Sequence, residues 1–466
     1  MSSRTQRNTP PLACDLALLD GTVLTLDPGN PVVDRGFVAV TGDRIVAVGD
    51  AALAERFHAD RTVHCSGKVV MPGMVDCHNH LFQSLGRTLG EGLSGWKWLS
   101  DFMWPYASAI SHEETIAAVY LGAVEAVLAG TTCVLDHHYG QAGYETTVRV
   151  AEILEEVGLR GFVARGISGP FTDLAQAQGL PESAFQMSAE EELAITESCI
   201  AARPAGSRVR ISPGPTNVVY TDPDLVIASV ELARANGLKW HTHLSAPQND
   251  PAIFAGQHSG MRPAVWLEHH GLLGPDAILA HATWIDEEEI EAIGASGAAV
   301  SHCPLSNMYM PYGVMPFRAL TDAGAVVGLG TDGSCCGHRQ DLFENSKLMV
   351  LMHRLHNLDP EACLAAEALG VATRGGAAAH GIQAGVLEVG ALADILVIDT
   401  AQPQFAPLHD PRSAIVYTAQ GSDVDMNIVG GEIIVEDGRS TRVDQEAVVA
   451  EARSRAGELT NRIKLN

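Results

Sequence analysis

The stretch Val69-Val70-Met71-Pro72-Gly73-Met74-Val75-Asp76-Cys77-His78-Asn79-His80 decides the fold of this 466-residue chain. A short apolar run, interrupted by Pro-Gly, leads into two histidines spaced as residues i and i+2. Side chains at this spacing share one face of a β-strand. His78 and His80 are therefore predicted to hold one metal ion together at a strand end.

Strand-like runs recur along the chain and alternate with longer segments of helical character. Beyond Val69-Val70, taken as the first strand, the runs are 132–136, 159–165, 208–213, 238–243, 277–281, 298–302 and 325–332. Eight such runs predict an α/β protein with a parallel (β/α)8 TIM-like barrel, and an open doubly wound sheet is the alternative. Polar residues end nearly every run, where such barrels carry their chemistry.

The two ends of the chain have a different sequence pattern, with short β-like runs and tight turns. We predict that residues 1–67 and 385–440 form one small β-sandwich built from both chain ends. The barrel then occupies residues 68–384, and residues 441–466 form a closing helix.

Composition limits the classes of partner and compartment. The net charge is -26, from 56 acidic and 30 basic residues, which disfavours nucleic acid and anionic membranes as partners. The chain contains no apolar run of about 18 residues, so no membrane-spanning helix is predicted. Residues 1–7 are polar and unlike a secretory leader, so a cytoplasmic location is expected. Nine cysteines without a Cys-x-x-Cys motif predict neither a disulfide framework nor a thiolate zinc site.

Histidine pairs at strand ends are the main chemical signal. With 19 histidines, chance alone gives about 0.8 His-x-His pairs in a chain of this length. The chain has two, His78/His80 and His241/His243, and both end strand-like runs. His281 and Asp332 end two further runs. In a barrel these side chains converge on one mouth, which predicts a metal-dependent enzyme.

Several spaced motifs carry a resemblance to a known family. They are 72–80, His241-Thr242-His243-Leu244, Ala280-His281-Ala282, Ser301-His302-Cys303-Pro304-Leu305-Ser306-Asn307, Gly328-Leu329-Gly330-Thr331-Asp332-Gly333 and 387–395. In these segments the chain resembles the amidohydrolase superfamily. The similarity is to the mononuclear-metal branch that holds cytosine-type and aromatic deaminases, S-adenosylhomocysteine deaminases and triazine hydrolases.

The resemblance implies a metal site and two catalytic residues. The implied ligands are His78, His80, His243 and Asp332. They would bind one divalent ion per subunit, with Zn²⁺ as the first choice and Fe²⁺, Co²⁺ or Mn²⁺ as alternatives. Asp332 would also accept a proton from the attacking water and pass it to the leaving group, while His281 would bind that water or the developing oxyanion.

The metal count and the assembly are expectations from the same resemblance. No lysine lies in residues 208–212, where two-metal relatives carry a bridging carboxylated lysine, so one ion is expected. Relatives often assemble as homodimers or homotetramers, and the expected partner is otherwise a small-molecule substrate.

Five residues are predicted to contact the substrate, namely Gln83, Trp104, His138, Asn307 and Ser334. Gln83 matches a position where related deaminases hold a substrate amide. Trp96, Trp98, Trp104 and Tyr106 either line an aromatic pocket or pack a loop. His137 and His138 either contact substrate or form a structural pair. Cys335 and Cys336, next to Ser334, shape the fit of the substrate, and the alternative is a nucleophilic role for Cys335. His241 is expected to point away from His243 and either to pack or to support a ligand.

One departure from the family's pattern bears on the reaction. Related deaminases and triazine hydrolases carry a glutamate three residues after the strand-five histidine, where it protonates a ring nitrogen. Here that position is Ala246, and the nearest acid downstream is Asp250. The sequence therefore favours hydrolysis of an amide, urea, carbamate or thiocarbamate C–N bond in a small, possibly aromatic molecule. The alternative is an aminohydrolase or chlorohydrolase acting on a purine, pterin or triazine. A binding protein without catalysis is disfavoured because the four ligands and His281 are all present.

Overall fold

The computed structural model describes residues 11–29 and 32–463. Its strands divide between two sheets. In chain order they are β1 (Leu12–Leu24), β2 (Val32–Thr41), β3 (Arg44–Asp50), β4 (Phe57–His64), β5 (Lys68–Pro72), β6 (Met74–Asn79), β7 (Thr131–His138), β8 (Arg160–Ile167), β9 (Val209–Pro215), β10 (Trp240–Leu244), β11 (Ala277–His281), β12 (Ala299–His302), β13 (Val326–Leu329), β14 (Ile395–Asp399), β15 (Val424–Val429), β16 (Glu432–Glu436) and β17 (Arg439–Ser440).

Helices connect and surround these strands. They are α1 (Gly95–Trp98), α2 (Trp104–Ala109), α3 (His112–Leu128), α4 (Tyr144–Val157), α5 (Asp173–Ala177), α6 (Ala189–Ala202), α7 (Pro223–Ala235), α8 (Asp250–Gln257), α9 (Pro263–His269), α10 (Glu287–Ser296), α11 (Pro304–Tyr309), α12 (Phe317–Asp322), α13 (Leu342–Asn357), α14 (Ala365–Gly370), α15 (Gly376–His380), α16 (Pro411–Thr418) and α17 (Gln445–Arg462). Across the described ranges, no helix combines the length and the apolar character that crossing a membrane requires.

Eight parallel strands form the predicted barrel. Their order is β10-β11-β12-β13-β6-β7-β8-β9, with at least one helix between successive strands. A bridge between Asn217, just after β9, and His243 in β10 closes the ring. β7, β11 and β12 are buried along their whole length, as expected for parallel strands covered by helices. The barrel prediction is confirmed.

The first barrel strand lies later in the chain than predicted. Val69 and Val70 belong to β5, which pairs with β1 and β14 in the other sheet. β6 is the barrel strand, paired with β7 and β13. Gly73 separates the two strands, and Pro72, which ends β5, lacks the backbone donor that a continuous ladder needs. The assignment of Val69-Val70 to the first barrel strand was therefore wrong, because these residues form the short strand that precedes it.

The second sheet joins both chain ends, as predicted for the small β domain. Its nine strands follow the order β17-β16-β15-β14-β5-β1-β2-β3, and β4 pairs with β1. β5 lies at the junction, parallel to β1 and antiparallel to β14. One apolar cluster includes Val38, Val70 and Ile395 and so spans both ends of the chain. The prediction about residues 1–7 falls outside the described residues.

The last helix, α17, packs against α3. α3 starts at a capping box in which Ser111 and Glu114 satisfy each other's backbone N–H groups. The Glu114 carboxylate also pairs with Arg462 at the end of α17. Ala452 and Leu459 of α17 are buried in an apolar cluster that reaches the carboxyl end of the barrel.

Candidate active site

Four side chains meet where the barrel strands end. His78 lies near the end of β6, and His80 comes directly after this strand. His243 lies in β10, and Asp332 follows β13. The Nε2 atoms of His80 and His243 are 3.2 Å apart. Asp332 Oδ1 is 3.4 Å from His78 Nε2 and 3.4 Å from His80 Nε2. The structure therefore brings together the four predicted ligands.

The orientation of each imidazole is set by a partner on its Nδ1 atom. His80 Nδ1 donates to the carbonyl oxygen of His137 at 2.7 Å, and His243 Nδ1 donates to that of Thr216 at 2.6 Å. His78 Nδ1 lies 2.8 Å from His241 Nε2. The two carbonyl acceptors place the proton of His80 and of His243 on Nδ1 and leave each Nε2 lone pair free for a metal.

Burial sets the protonation state of this cluster. It lowers the pKa of His78 to about 4 and holds the pKa of His243 well below its usual value. Burial opposes ionisation of Asp332, but the imidazoles of His78, His281 and His80 outweigh it and hold the pKa of this carboxyl well below its usual value. Neutral imidazoles and an ionised carboxylate are the forms that bind a metal.

The cluster fits a divalent metal. The buried Nε2 atom of His78 has no hydrogen-bond partner among the described residues, although it faces the other ligands. Two groups of potential ligand atoms, each within 4.8 Å of one another, share His78: one adds His80, His137 and His243, and the other adds His281 and Asp332. Imidazole nitrogens with one carboxylate suit zinc and related first-row ions.

His281 is held beside the ligands by a defined hydrogen-bond chain. Its Nδ1 donates to Asn307 Oδ1 at 3.0 Å, and Asn307 Nδ2 donates to Thr283 Oγ1 at 3.3 Å. Burial lowers the pKa of His281. The neutral ring therefore presents an accepting Nε2, which lies 3.8 Å from Asp332 Oδ2.

Unusual backbone conformations occur at the same strand ends. His281 and Asp332 have φ values of 72° and 61°, in the left-handed region that few non-glycine residues adopt. Gly333 follows Asp332, and a Cβ there would lie 2.0 Å from Gln83 Oε1. Glycine at this position lets the Asp332 loop approach Gln83.

An aromatic cavity opens directly above the cluster. His80, His243, His281 and Asp332 form part of its lining. The remaining lining includes Gln83, Trp96, Trp98, Leu99, Trp104, Tyr139, Thr216, Asn217, Tyr220, Ala246, Pro247, Asp250, Met310, Tyr312 and Cys336. Six of these side chains are aromatic rings, so the cavity suits a flat, apolar-faced molecule.

Comparison with known proteins agrees with this geometry. A sequence model of the amidohydrolase family matches residues 69–434. The chain belongs to the amidohydrolase family. It is 32% identical to a 5-methylthioadenosine/S-adenosylhomocysteine deaminase from Pelotomaculum thermopropionicum, over 96% of this chain and 99% of that protein.

Solved structures give the same assignment. An adenosine deaminase from Xanthomonas campestris with bound zinc matches with a TM-score of 0.88 and 28% identity, covering 97% of this chain and all of the other. The atrazine chlorohydrolase TrzN from Arthrobacter aurescens TC1, complexed with zinc, matches with a TM-score of 0.86 and 27% identity over 95% of this chain and all of the other. This amidohydrolase is accordingly a metal-dependent hydrolase of carbon–nitrogen bonds other than peptide bonds.

The predicted substrate contacts fall into two groups in the amidohydrolase structure. Gln83 and Trp104 line the cavity, as do Trp96 and Trp98. His138, Asn307 and Ser334 are buried outside its lining. His138 lies 3.5 Å from Asp136, Asn307 holds His281, and Ser334 accepts a hydrogen bond from Gln340 at 3.0 Å. Tyr106 is also outside the lining and donates to the Phe82 carbonyl.

Two histidines differ from the sequence expectations. His241 does not point away from His243, because residues i and i+2 share a strand face, and its contact with His78 makes it a supporting residue. His137 was considered only as a substrate contact or a structural residue, yet it joins one group of potential ligands. Its position near the end of β7, a strand end like those that carry the other histidines, was the available signal.

The position of Ala246 is the point where this amidohydrolase departs from the family's pattern. Its methyl group lines the cavity, and so does the Asp250 carboxyl four residues later. On spacing along the chain alone, Asp250 is too distant to share this place. The structure puts both residues on one wall.

The two adjacent cysteines are buried beside the cavity. Cys336 belongs to its lining, and Cys335 Sγ donates to the Gln83 carbonyl at 3.5 Å. Burial raises the pKa of each of these thiols well above the usual value of a cysteine. Neutral thiols are poor nucleophiles, so these residues shape and pack the cavity.

Proposed function

We propose that this amidohydrolase is an aminohydrolase that replaces an exocyclic amino group of a planar N-heterocycle with oxygen and releases ammonia. The observation that carries the proposal is the placement of the His/Asp cluster at the floor of a cavity walled by aromatic rings. A flat heterocycle stacked between these rings brings its edge to the cluster. The deaminase relatives and the zinc-containing adenosine deaminase structure support the same reaction class.

The roles of the polar residues follow from their geometry. A single divalent ion, Zn²⁺ in the first instance, held by His78, His80, His243 and Asp332 would supply a water of lowered pKa. His281 Nε2 accepts a hydrogen bond from the attacking water, because its Nδ1 proton is committed to Asn307. Asp332 takes the water's proton and delivers it to the departing nitrogen.

A second candidate is hydrolysis at an amide, urea, carbamate or thiocarbamate carbon. The methyl group of Ala246 favours it, because carbonyl carbons need no ring protonation and Ala246 donates no proton. The presence of a carboxyl group on the same wall weighs toward the ring reaction instead.

A product assay separates these two functions. Zinc-loaded protein is incubated with adenosine, 5-methylthioadenosine, pterins and aminotriazines, and separately with anilides and carbamates. Ammonia from the first panel, measured with a coupled assay and product mass spectrometry, is the expected result. Release of anilines or alkylamines from the second panel, with no ammonia from the first, would favour the second candidate.

We also propose an assembly and a cellular location for this amidohydrolase. We expect a homodimer or homotetramer in the cytoplasm, with a small molecule as the substrate and neither nucleic acid nor membrane as a partner. The net charge of -26 supports the exclusion of polyanionic partners.

A further inference from the structure

The Asp250 carboxyl is a buried polar group of the cavity that the roles above leave unused. It is the first residue of α8 and is fully buried. Neither carboxyl oxygen makes a hydrogen bond of normal geometry with the described residues. A buried carboxyl without a partner is costly unless it stays neutral or meets a ligand.

The local backbone explains how Asp250 reaches this position. Ser245, just after β10, has a left-handed φ of 46° and turns the chain. The Asp250 N–H then donates to the Pro247 carbonyl oxygen at 3.2 Å, which folds the segment back on itself. Ala246, Pro247 and Asp250 consequently line one cavity wall together.

The surroundings of Asp250 keep it protonated. Burial raises its pKa to about 8, and the Trp96 indole N–H opposes this only in part. The groups that interact with it electrostatically are the hydroxyls of Tyr220 and Tyr312, whose pKa values burial raises in turn. No cation among the described residues pairs with this carboxyl. At neutral pH it is a proton donor facing the substrate space.

We propose that Asp250 is a catalytic acid, which protonates the ring nitrogen next to the carbon that water attacks. This role rests on the proposed ring deamination. It uses a carboxyl from the first turn of α8 rather than the position occupied by Ala246.

The proton balance of the step closes without another reactant. As the water oxygen bonds to the ring carbon, one water proton moves to Asp332 and the Asp250 proton moves to the ring nitrogen. The bond between carbon and the exocyclic nitrogen then breaks, and that nitrogen leaves as ammonia with the proton held by Asp332. The remaining hydroxyl proton returns to Asp250 as the carbonyl forms.

The test compares Asp250→Asn with Asp224→Asn, an exposed aspartate in the first turn of α7. Both are assayed as zinc-loaded protein with the heterocycle from which wild-type protein releases ammonia fastest. Asp250→Asn should lose about 10²–10⁴-fold in kcat with unchanged zinc content, and Asp224→Asn should match wild type. Wild-type kcat should also fall above pH 8, and this alkaline decline should be absent in Asp250→Asn.

A second readout does not depend on turnover. The infrared difference spectrum of wild type minus Asp250→Asn at pH 7 should contain a protonated-carboxyl stretch that disappears above pH 8. Absence of this band, or Asp250→Asn activity within threefold of wild type, overturns the role of Asp250 while ring deamination stands. If wild-type protein releases no ammonia from any heterocycle, the proposed function fails and the role fails with it.

Discussion

At the scale of single residues, His281 and Asp332 combine reactive side chains with left-handed backbone. Such conformations cost about 1–3 kcal/mol each and persist where the surrounding structure imposes them. Here the cost coincides with Asp332, to which we assign proton transfer, and with His281, to which we assign binding of the attacking water. Both residues lie at the carboxyl ends of barrel strands, where His281 Nε2 is 3.8 Å from Asp332 Oδ2.

Asp332→Asn tests the role of the Asp332 carboxylate most directly. Asparagine tolerates left-handed backbone, so the fold should be retained. Loss of the carboxylate removes a ligand and the proton acceptor, and kcat should fall by at least about 10²–10⁴-fold. Activity, zinc content and circular dichroism measure these effects. Near-normal turnover would contradict the assignment of Asp332.

Asp250→Asn should also change stability, with a sign that follows from its pKa. Asp250 keeps its proton in the folded state up to about pH 8, whereas the unfolded chain loses it near its ordinary value of 3.8. Folding therefore takes up a proton between these values, and wild-type stability falls by about 1.4 kcal/mol per pH unit from this group.

The neutral asparagine has no such dependence. The melting temperature of Asp250→Asn relative to wild type should rise steadily from pH 4 to pH 8. Thermal scans at several pH values, with Asp224→Asn as the control, test this. A difference that stays constant with pH would show that Asp250 is ionised in the folded protein.

At the scale of elements, the junction between β6 and β13 depends on one buried carboxylate. Asp76 Oδ1 accepts from the N–H groups of His78 and Thr331, each at 3.2 Å. Its Oδ2 accepts from Thr331 Oγ1 at 2.6 Å and from Asn79 Nδ2 at 2.9 Å. The two strands otherwise share a single paired position, Leu329 with Asp76. These bonds connect the strand that carries His78 to the loop that carries Asp332.

Asp76→Ala should therefore damage both the fold and the metal site. It leaves the buried N–H groups of His78 and Thr331 without their acceptor, which we expect to cost about 2–5 kcal/mol, whereas the side chains of Thr331 and Asn79 keep Gln340 Oε1 as an acceptor. Asp60→Ala, at an exposed position in β4, is the control. The melting temperature and zinc affinity should both fall in Asp76→Ala alone. Unchanged zinc affinity would show that the junction does not position the ligands.

The elements also show what sequence could predict. Strand ends carrying His78, His243, His281 and Asp332 were predictable, because polar residues after buried runs follow from barrel geometry. The change from β5 to β6 was not, because Val69-Val70 and Met74-Val75 are equally apolar and only pairing distinguishes them. The place of Asp250 in the cavity lining was not predictable, because it depends on the turn at Ser245, which spacing along the chain does not reveal.

At the scale of the whole molecule, the cavity wall and the last helix share one apolar cluster. Trp98, Trp104 and Tyr220 line the cavity, and they belong to the same cluster as Ala452 and Leu459 of α17. The helix is therefore part of the support for the substrate space, although it lies outside the barrel.

Deletion of residues 445–466 should loosen this wall without removing a metal ligand. We expect a lower melting temperature, a higher KM and bound zinc near the wild-type level. Arg455→Ala, at a half-buried position of α17, is the control, since its ion-pair partners Glu451 and Glu458 lie on the same helix. An unchanged KM in the deletion variant would mean that the wall holds its shape without α17.

The location of β5 has a consequence for synthesis on the ribosome. Its two neighbours, β1 and β14, are translated before and after the entire barrel. At 5–20 residues per second, the nascent chain waits roughly a quarter of a minute to a minute with one edge of β5 unpaired. During that interval we expect the unpaired edge of β5 to be open to pairing with other chains, and we expect premature termination within the barrel to leave a half-sheet prone to aggregation.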